Sequence, residues 1–338
     1  VNQLSNRKLK WGVLGSARIA VNSVIPGILQ SQFNEVIAIA SRNLEKAQET
    51  AIKFQIPKTY GSYEQLLQDP DIDAVYIPLP NHLHYEWTIK AVQAGKHVLC
   101  EKPLALNAEE AERMVRAAKE AGVILAEAFM YRYHPRYTQI KEIIDSGEIG
   151  EVRGIRSSFT FNNANDLNNV RYRKEWGGGA IYDVGCYPIT AARLLLGKEP
   201  EAVTVQAQFS NLHGDVDMMA AGLIEFKGDV SLQFDCAMWS AFRNPLEVLG
   251  SEGIIEVPSA FVTPTEESSH FYINKSGERN KISVPFLNAY SLQADAFAQA
   301  VLQRKPLPFD GADAVHNMKI IEACLASATE KTRVKLSE

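Results

Sequence analysis

Four short apolar runs, at residues 11–14, 35–40, 73–77 and 97–100, recur along the first third of the chain with helix-length stretches between them. Strands this short and this apolar must be covered on both faces, and helices that alternate with them achieve this around a parallel sheet. The even recurrence predicts a doubly wound α/β domain. Within it, Asn107 can cap a helix with Glu110 at the capping-box position, Ala111, Met114, Val115 and Ala118 keep helical spacing, and Gly122 marks the stop. After a further apolar run over 123–128 the character changes near residues 147–150, so we expect a dinucleotide-type domain over 1–128 and a second domain over 129–338.

Residues 151–282 read mainly as strand. Val230, Leu232, Phe234, Cys236 and Met238 alternate with Ser231, Gln233, Asp235 and Ala237, which predicts a sheet with two unlike faces. Helical spacing returns over 289–302 and 312–328, and these helices are expected to cover one face of that sheet. Composition narrows the function. The net charge is −5 and the basic residues are scattered, which argues against a nucleic-acid or anionic-membrane partner. Cys100, Cys186, Cys236 and Cys324 form no C-x-x-C pair, so neither a disulfide framework nor a zinc ribbon is expected. With no apolar targeting segment and no membrane-length apolar stretch, the expected location is the cytoplasm.

Chemistry-bearing residues cluster directly after the predicted strands. Gly15-Ser16-Ala17-Arg18-Ile19-Ala20 is a G-x-A-x-x-A variant of the dinucleotide fingerprint, in which small residues admit a pyrophosphate and the helix start offers free N–H groups. A tight strand-to-helix turn wants small residues for packing as well. After the second strand stand Ser41, Arg42 and Lys46, where NAD enzymes usually place an acidic residue for the ribose; a 2′-phosphate suits them better, so NADP is the expected cofactor, with NAD the alternative. Solvated charges at a helix start are the plainer reading of Arg42 and Lys46. Leu79-Pro80-Asn81-His82-Leu83-His84 follows the third run, and two histidines two apart share no helix face, so metal ligation is not expected. Glu101-Lys102-Pro103 follows the fourth and sets an amine at a strand end; alone, such a pair is also common in surface turns.

Taken in order with Ala126-Glu-Ala-Phe-Met-Tyr-Arg-Tyr-His-Pro135 and Gly177-Gly-Gly-Ala-Ile-Tyr-Asp-Val-Gly-Cys-Tyr187, these motifs resemble those of the glucose-fructose oxidoreductase, inositol dehydrogenase and rhizopine-catabolism (Gfo/Idh/MocA) family over nearly the whole chain. The resemblance implies an N-terminal Rossmann domain, a C-terminal α+β domain with a large open, mostly antiparallel sheet, and a homodimer or homotetramer formed through that sheet. It assigns Lys102, Asp183 and Tyr187 to catalysis, facing a cleft between the domains. It assigns Gly15, Ser16, Ala17, Arg18, Ile19, Ser41, Arg42, Lys46, Leu79, Pro80, Asn81, His84, Glu101, Lys102 and Arg132 to the cofactor, and Tyr131, Arg173, Trp176 and Tyr290 to the substrate. Tyr187 stands where the inositol branch carries His, and Thr190 where it carries Asp, which directs the expectation away from inositols and toward a sugar, lactol or vicinal diol. A dinucleotide-sensing regulator of the same fold is the alternative, although it would have no use for an acid–base pair.

Overall fold

The computed structural model describes residues 7–336. The chain forms two compact units, one built from the chain up to Tyr133 together with Asn288–Val315, the other from His134–Leu287 and the segment from His316 onward.

The first unit is a six-stranded parallel sheet of β1 (Leu9–Leu14), β2 (Asn34–Ala40), β3 (Lys58–Tyr60), β4 (Ala74–Ile77), β5 (His97–Cys100) and β6 (Leu125–Glu127), in the order 3-2-1-4-5-6. That is the doubly wound order, whose direction reverses between β1 and β4. All four predicted apolar runs are strands, and β4 is buried at every residue. The edge strand β3 was not predicted, because Lys58-Thr59-Tyr60 is only half-buried and carries no apolar run. Asn107 caps Ala108–Ala121 by accepting from the Glu110 N–H at 2.8 Å, and Gly122 ends the helix at φ +67°.

One expected covering changes place. Helix Ala289–Gln303 packs on the first unit, not on the second sheet: Phe297 lies 5.0 Å from the Trp11 ring, and Ala294 and Ala298 join the same core. A polar tie locks it there. Trp11 Nε1 donates to Asn34 Oδ1 at 2.7 Å, and the Asn34 amide donates to Ser31 Oγ at 2.8 Å and to Asp295 Oδ1 at 3.1 Å.

The second unit is a ten-stranded sheet of β7 (Val152–Asn162), β8 (Pro200–Ser210), β9 (Val216–Phe226), β10 (Val230–Ala237), β11 (Trp239–Arg243), β12 (Leu246–Gly250), β13 (Gly253–Val257), β14 (Phe271–Lys275), β15 (Glu278–Ile282) and β16 (Val334–Lys335). Its pairings are antiparallel except that of β7 with β10. The predicted two-faced alternation holds in β10 as far as Cys236, with Val230, Leu232, Phe234 and Cys236 buried and Gln233 exposed, and ends at Ala237, which is buried as well. Helix Cys186–Leu196 covers the buried face together with the C-terminal helix, whose Ser327 Oγ accepts from the Val205 N–H at 2.9 Å. Among the described residues no helix is long and apolar enough to cross a membrane.

Candidate active site

In the first unit the carboxyl ends of the strands gather four loops. Gly15 follows β1 at φ +116°, donating to the Ala40 carbonyl at 2.8 Å, and a Cβ there would stand 3.3 Å from Leu79. The helix that begins just after Ala17 has first-turn N–H groups without helical acceptors, the arrangement that receives a phosphate. Ser16 Oγ donates to the Lys46 carbonyl at 3.3 Å, which ties this turn to the loop and helix start that follow β2. There Ser41 Oγ accepts from the Asn43 N–H at 3.2 Å, while Arg42 and Lys46 are exposed and Arg42 stands within electrostatic reach of the Tyr63 phenol. The Ser41, Arg42 and Lys46 set therefore stands beside the fingerprint turn, and its donors fit a dinucleotide with a phosphorylated ribose.

The other two loops are joined by His84. Its ring nitrogens lie 2.8 Å from the Leu79 carbonyl and 2.9 Å from the Pro103 carbonyl, so one buried ring holds the Pro80-Asn81 turn against the Glu101-Lys102-Pro103 segment. The two carbonyls favour a protonated ring and burial a neutral one. Burial dominates and lowers the pKa to about 4. Two further residues steady the second loop, and neither was in the sequence-derived set: Tyr76 donates to Glu101 Oε1 at 2.5 Å, and Glu127 Oε1 accepts from the Leu104 N–H at 2.8 Å. A carboxylate inside the apolar run over 123–128 was the available signal for Glu127. Tyr290 stands within electrostatic reach of Glu101 and Lys102; burial and then Glu101 push its phenol up to about 12, against a Ser23 hydrogen bond and the Lys102 charge.

Arg132 stands within electrostatic reach of Glu127 and of its neighbour Tyr131. Arg132 and Tyr131 are both buried, and Arg132 pairs with Asp313 while its guanidinium lies 4.0 Å from the Phe309 ring centre and 5.2 Å from that of Phe129.

The second unit carries the other predicted group. Gly178 and Gly179 donate to the carbonyls of Arg173 and Arg171 at 2.9 and 3.0 Å, and a Cβ at Gly178 would meet the Arg171 carbonyl oxygen at 2.4 Å, so backbone proximity excludes a side chain. One π turn, Ile181–Gly185, then carries Asp183, and helix Cys186–Leu196 carries Tyr187 one turn on. Arg171 Nε donates to Asp183 Oδ2 at 2.6 Å, and the charged guanidinium is favoured first by Asp183 and further by Tyr187. Tyr187 is almost enclosed, with Phe159 at 5.0 Å and Phe261 at 5.3 Å between ring centres, two aromatic neighbours that sequence spacing did not reveal. Thr190 is structural: its hydroxyl donates to the Cys186 carbonyl at 2.6 Å and lies 3.0 Å from Asn317 Oδ1. Arg173 is exposed and Trp176 half-buried at the entry to the triple glycine.

Residues 9–129 match the model of an oxidoreductase family with an NAD-binding Rossmann fold, GFO/IDH/MocA, and residues 137–256 match the C-terminal domain of that family. A D-xylose 1-dehydrogenase (NADP(+)) of Haloferax volcanii is 36% identical over 97% of this chain and 100% of its own. A trans-1,2-dihydrobenzene-1,2-diol dehydrogenase of Xenopus laevis is 35% identical over 82% of this chain and 81% of its own. The crystal structure of KijD10, a 3-ketoreductase from Actinomadura kijaniata, in complex with NADP and TDP-benzene superposes with a TM-score of 0.89 at 33% identity, covering 95% of this chain and 98% of that one.

Proposed function

The chain belongs to the Gfo/Idh/MocA family of NAD(P)-dependent oxidoreductases, and from that premise we propose an NADP-preferring enzyme acting on a hydroxyl or carbonyl of a sugar, lactol or vicinal diol. The observation that carries this reading is the Asp183–Tyr187 pair, one helical turn apart, with Arg171 bonded to Asp183. Relatives that act on a sugar and on a diol support the substrate class.

Bound nicotinamide supplies or accepts the hydride. Gly15, Ser16, Ala17, Arg18 and Ile19 would hold the pyrophosphate of the dinucleotide, Ser41, Arg42 and Lys46 its 2′-phosphate, and Leu79, Pro80, Asn81 and Glu101 its nicotinamide end. Tyr187 takes the proton of the substrate hydroxyl during oxidation and returns it to the carbonyl oxygen during reduction. An ordinary phenol, with a pKa of about 10, is a weak base at neutral pH, and a cation favours its anionic form. Arg171 supplies such a cation while Asp183 fixes its direction. Lys102 binds the substrate oxygen, and Tyr131, Arg173, Trp176 and Tyr290 shape the substrate's surroundings. The exposed face of the second sheet, with Ala221, Leu223 and Gln233, is the surface we assign to homo-oligomer formation.

Titration with NADPH and NADH in parallel, read by tryptophan fluorescence, tests the cofactor. Tighter NADPH binding agrees with the Ser41-Arg42 reading, tighter NADH binding reduces Arg42 to a surface charge, and binding of neither removes the dehydrogenase reading. On the aldose or diol turned over fastest in a screen, Tyr187→Phe and Lys102→Met are each expected to lower kcat by about 10²–10⁴-fold, with NADPH affinity unchanged in Tyr187→Phe. Wild-type turnover in both variants would refute the assigned chemistry. A monomer at every concentration in size-exclusion chromatography would count against the sheet interface.

A further inference from the structure

Asp217, second residue of β9, is a buried carboxyl, only 2% exposed, with no ion-pair partner among the described residues. Its neighbours on the strand, Val216 and Met218, are buried and apolar. Placing a carboxyl in such a position is costly unless donors are aimed at it. The donors here are backbone groups. Oδ2 accepts from the Ile181 N–H at 2.7 Å, and the nearby N–H groups of Asp217 itself and of Ala180 also favour the charged carboxyl. Gly179, at φ +116°, lies so close that a Cβ on it would stand 1.9 Å from Asp217 Oδ1.

The Ile181 N–H stands at the start of the π turn that presents Asp183, and no side chain from within the segment itself caps it. The carbonyls of Arg171 and Arg173 take the Gly179 and Gly178 N–H groups, and Asp217 takes the Ile181 N–H. The segment is thus fixed by acceptors at Gly178, Gly179 and Ile181 before it enters the helix of Tyr187. We propose that Asp217 is a positioning residue for the acid–base pair: its carboxylate sets the start of the helical segment and thereby the placement of Asp183 and Tyr187. Burial pushes its own pKa up to about 7 against these backbone hydrogen bonds, consistent with a carboxyl held by N–H groups and by no cation. The inference rests on Tyr187 being the acid–base group.

The test compares Asp217→Asn and Asp217→Ala in the wild-type and Tyr187→Phe backgrounds. The assay uses NADP with the aldose or diol of the screen, and kcat is expressed per NADPH-binding molecule. Asparagine keeps the volume but offers one acceptor in place of two. A drop in kcat of about tenfold is expected for Asn and more for Ala, with NADPH affinity unchanged and substrate KM changed less than kcat. In the Tyr187→Phe background the same substitutions should change kcat by less than about twofold, because the group they position is gone. Wild-type kcat per binding molecule with only a lowered Tm would mean a merely structural role and would overturn the proposal, as would an equal loss in both backgrounds. If the Ala variant does not fold, the Asn variant decides alone. Failure of the parent reading looks different: Tyr187→Phe itself then keeps full turnover, or no aldose or diol is turned over at all.

Discussion

At His84, burial and hydrogen bonding pull a proton in opposite directions, and the outcome sets a pH dependence. The buried ring has a pKa of about 4 against an ordinary 6.5, so as pH falls the unfolded chain takes its proton first. Stability that is complete above about pH 6.5 is therefore lost progressively toward pH 4, by roughly 3 kcal/mol from this one residue. Urea unfolding at about pH 7 and about pH 5 checks it. His84→Phe should be less stable by about 1–3 kcal/mol near pH 7, because a buried carbonyl loses the one N–H that the neutral ring donates, yet show a shallower fall on acidification. An identical acid slope in the variant would show that other groups govern it. The motif places His84 in the cofactor loop, and the structure gives it the work of joining two such loops. Spacing tells where a residue falls in the chain and not which way its side chain turns. Arg132 makes the same point, since its partner Asp313 lies 181 residues away. Asp217 left no trace at all, because one carboxyl in a strand-like run is indistinguishable from a solvent-facing residue.

The two helices that follow glycine-containing turns share a construction that residue patterns concealed. Ile25 donates to the Ala20 carbonyl and Cys186 to the Ile181 carbonyl, five residues back in each case, and Pro26 and Pro188 follow almost at once. A proline within a helix removes one N–H and crowds the preceding turn, and a wide turn just before it relieves that crowding. The helix expected after the fingerprint turn is present, but its widened turn left no mark in the sequence, since one extra residue barely disturbs an apolar pattern. Nor could periodicity say which sheet the helix Ala289–Gln303 would cover. That contact depends on Gly27, where a Cβ would fall 2.6 Å from Tyr290 Cβ and 3.1 Å from the Ser291 nitrogen. Gly27→Ala should force the two helices apart and cost about 1–3 kcal/mol by overpacking. It should also weaken NADPH binding, because Tyr290 stands beside Glu101 and Lys102. Gly61→Ala, with nothing within 4 Å, is the control expected to stay near wild type. Equal melting temperatures for the two variants would contradict the close packing.

On the scale of the whole chain, the dinucleotide unit is discontinuous, and this governs what can be cut away. Its sheet is complete by Glu127, and the loops assigned to the cofactor all precede Tyr133, so the N-terminal segment looks self-sufficient on motifs alone. Its core is not. Phe297 covers Trp11, Ala294 and Ala298 fill in beside Val24 and Ile28, and Asp295 completes the Asn34 network. Losing a buried phenylalanine alone costs about 3–5 kcal/mol, against a total stability of about 5–15 kcal/mol for a typical domain. A fragment ending at Tyr133 is therefore expected to unfold without a cooperative transition and to give no NADPH-dependent fluorescence change. The same fragment joined through a flexible Gly/Ser linker to residues 288–315 should regain both, since it restores the helix without the second sheet. Cooperative unfolding and NADPH binding by the shorter fragment would show that the returning helix is dispensable. Failure of both fragments, with the full chain binding normally, would show that the unit draws its stability from more than the segments that build it.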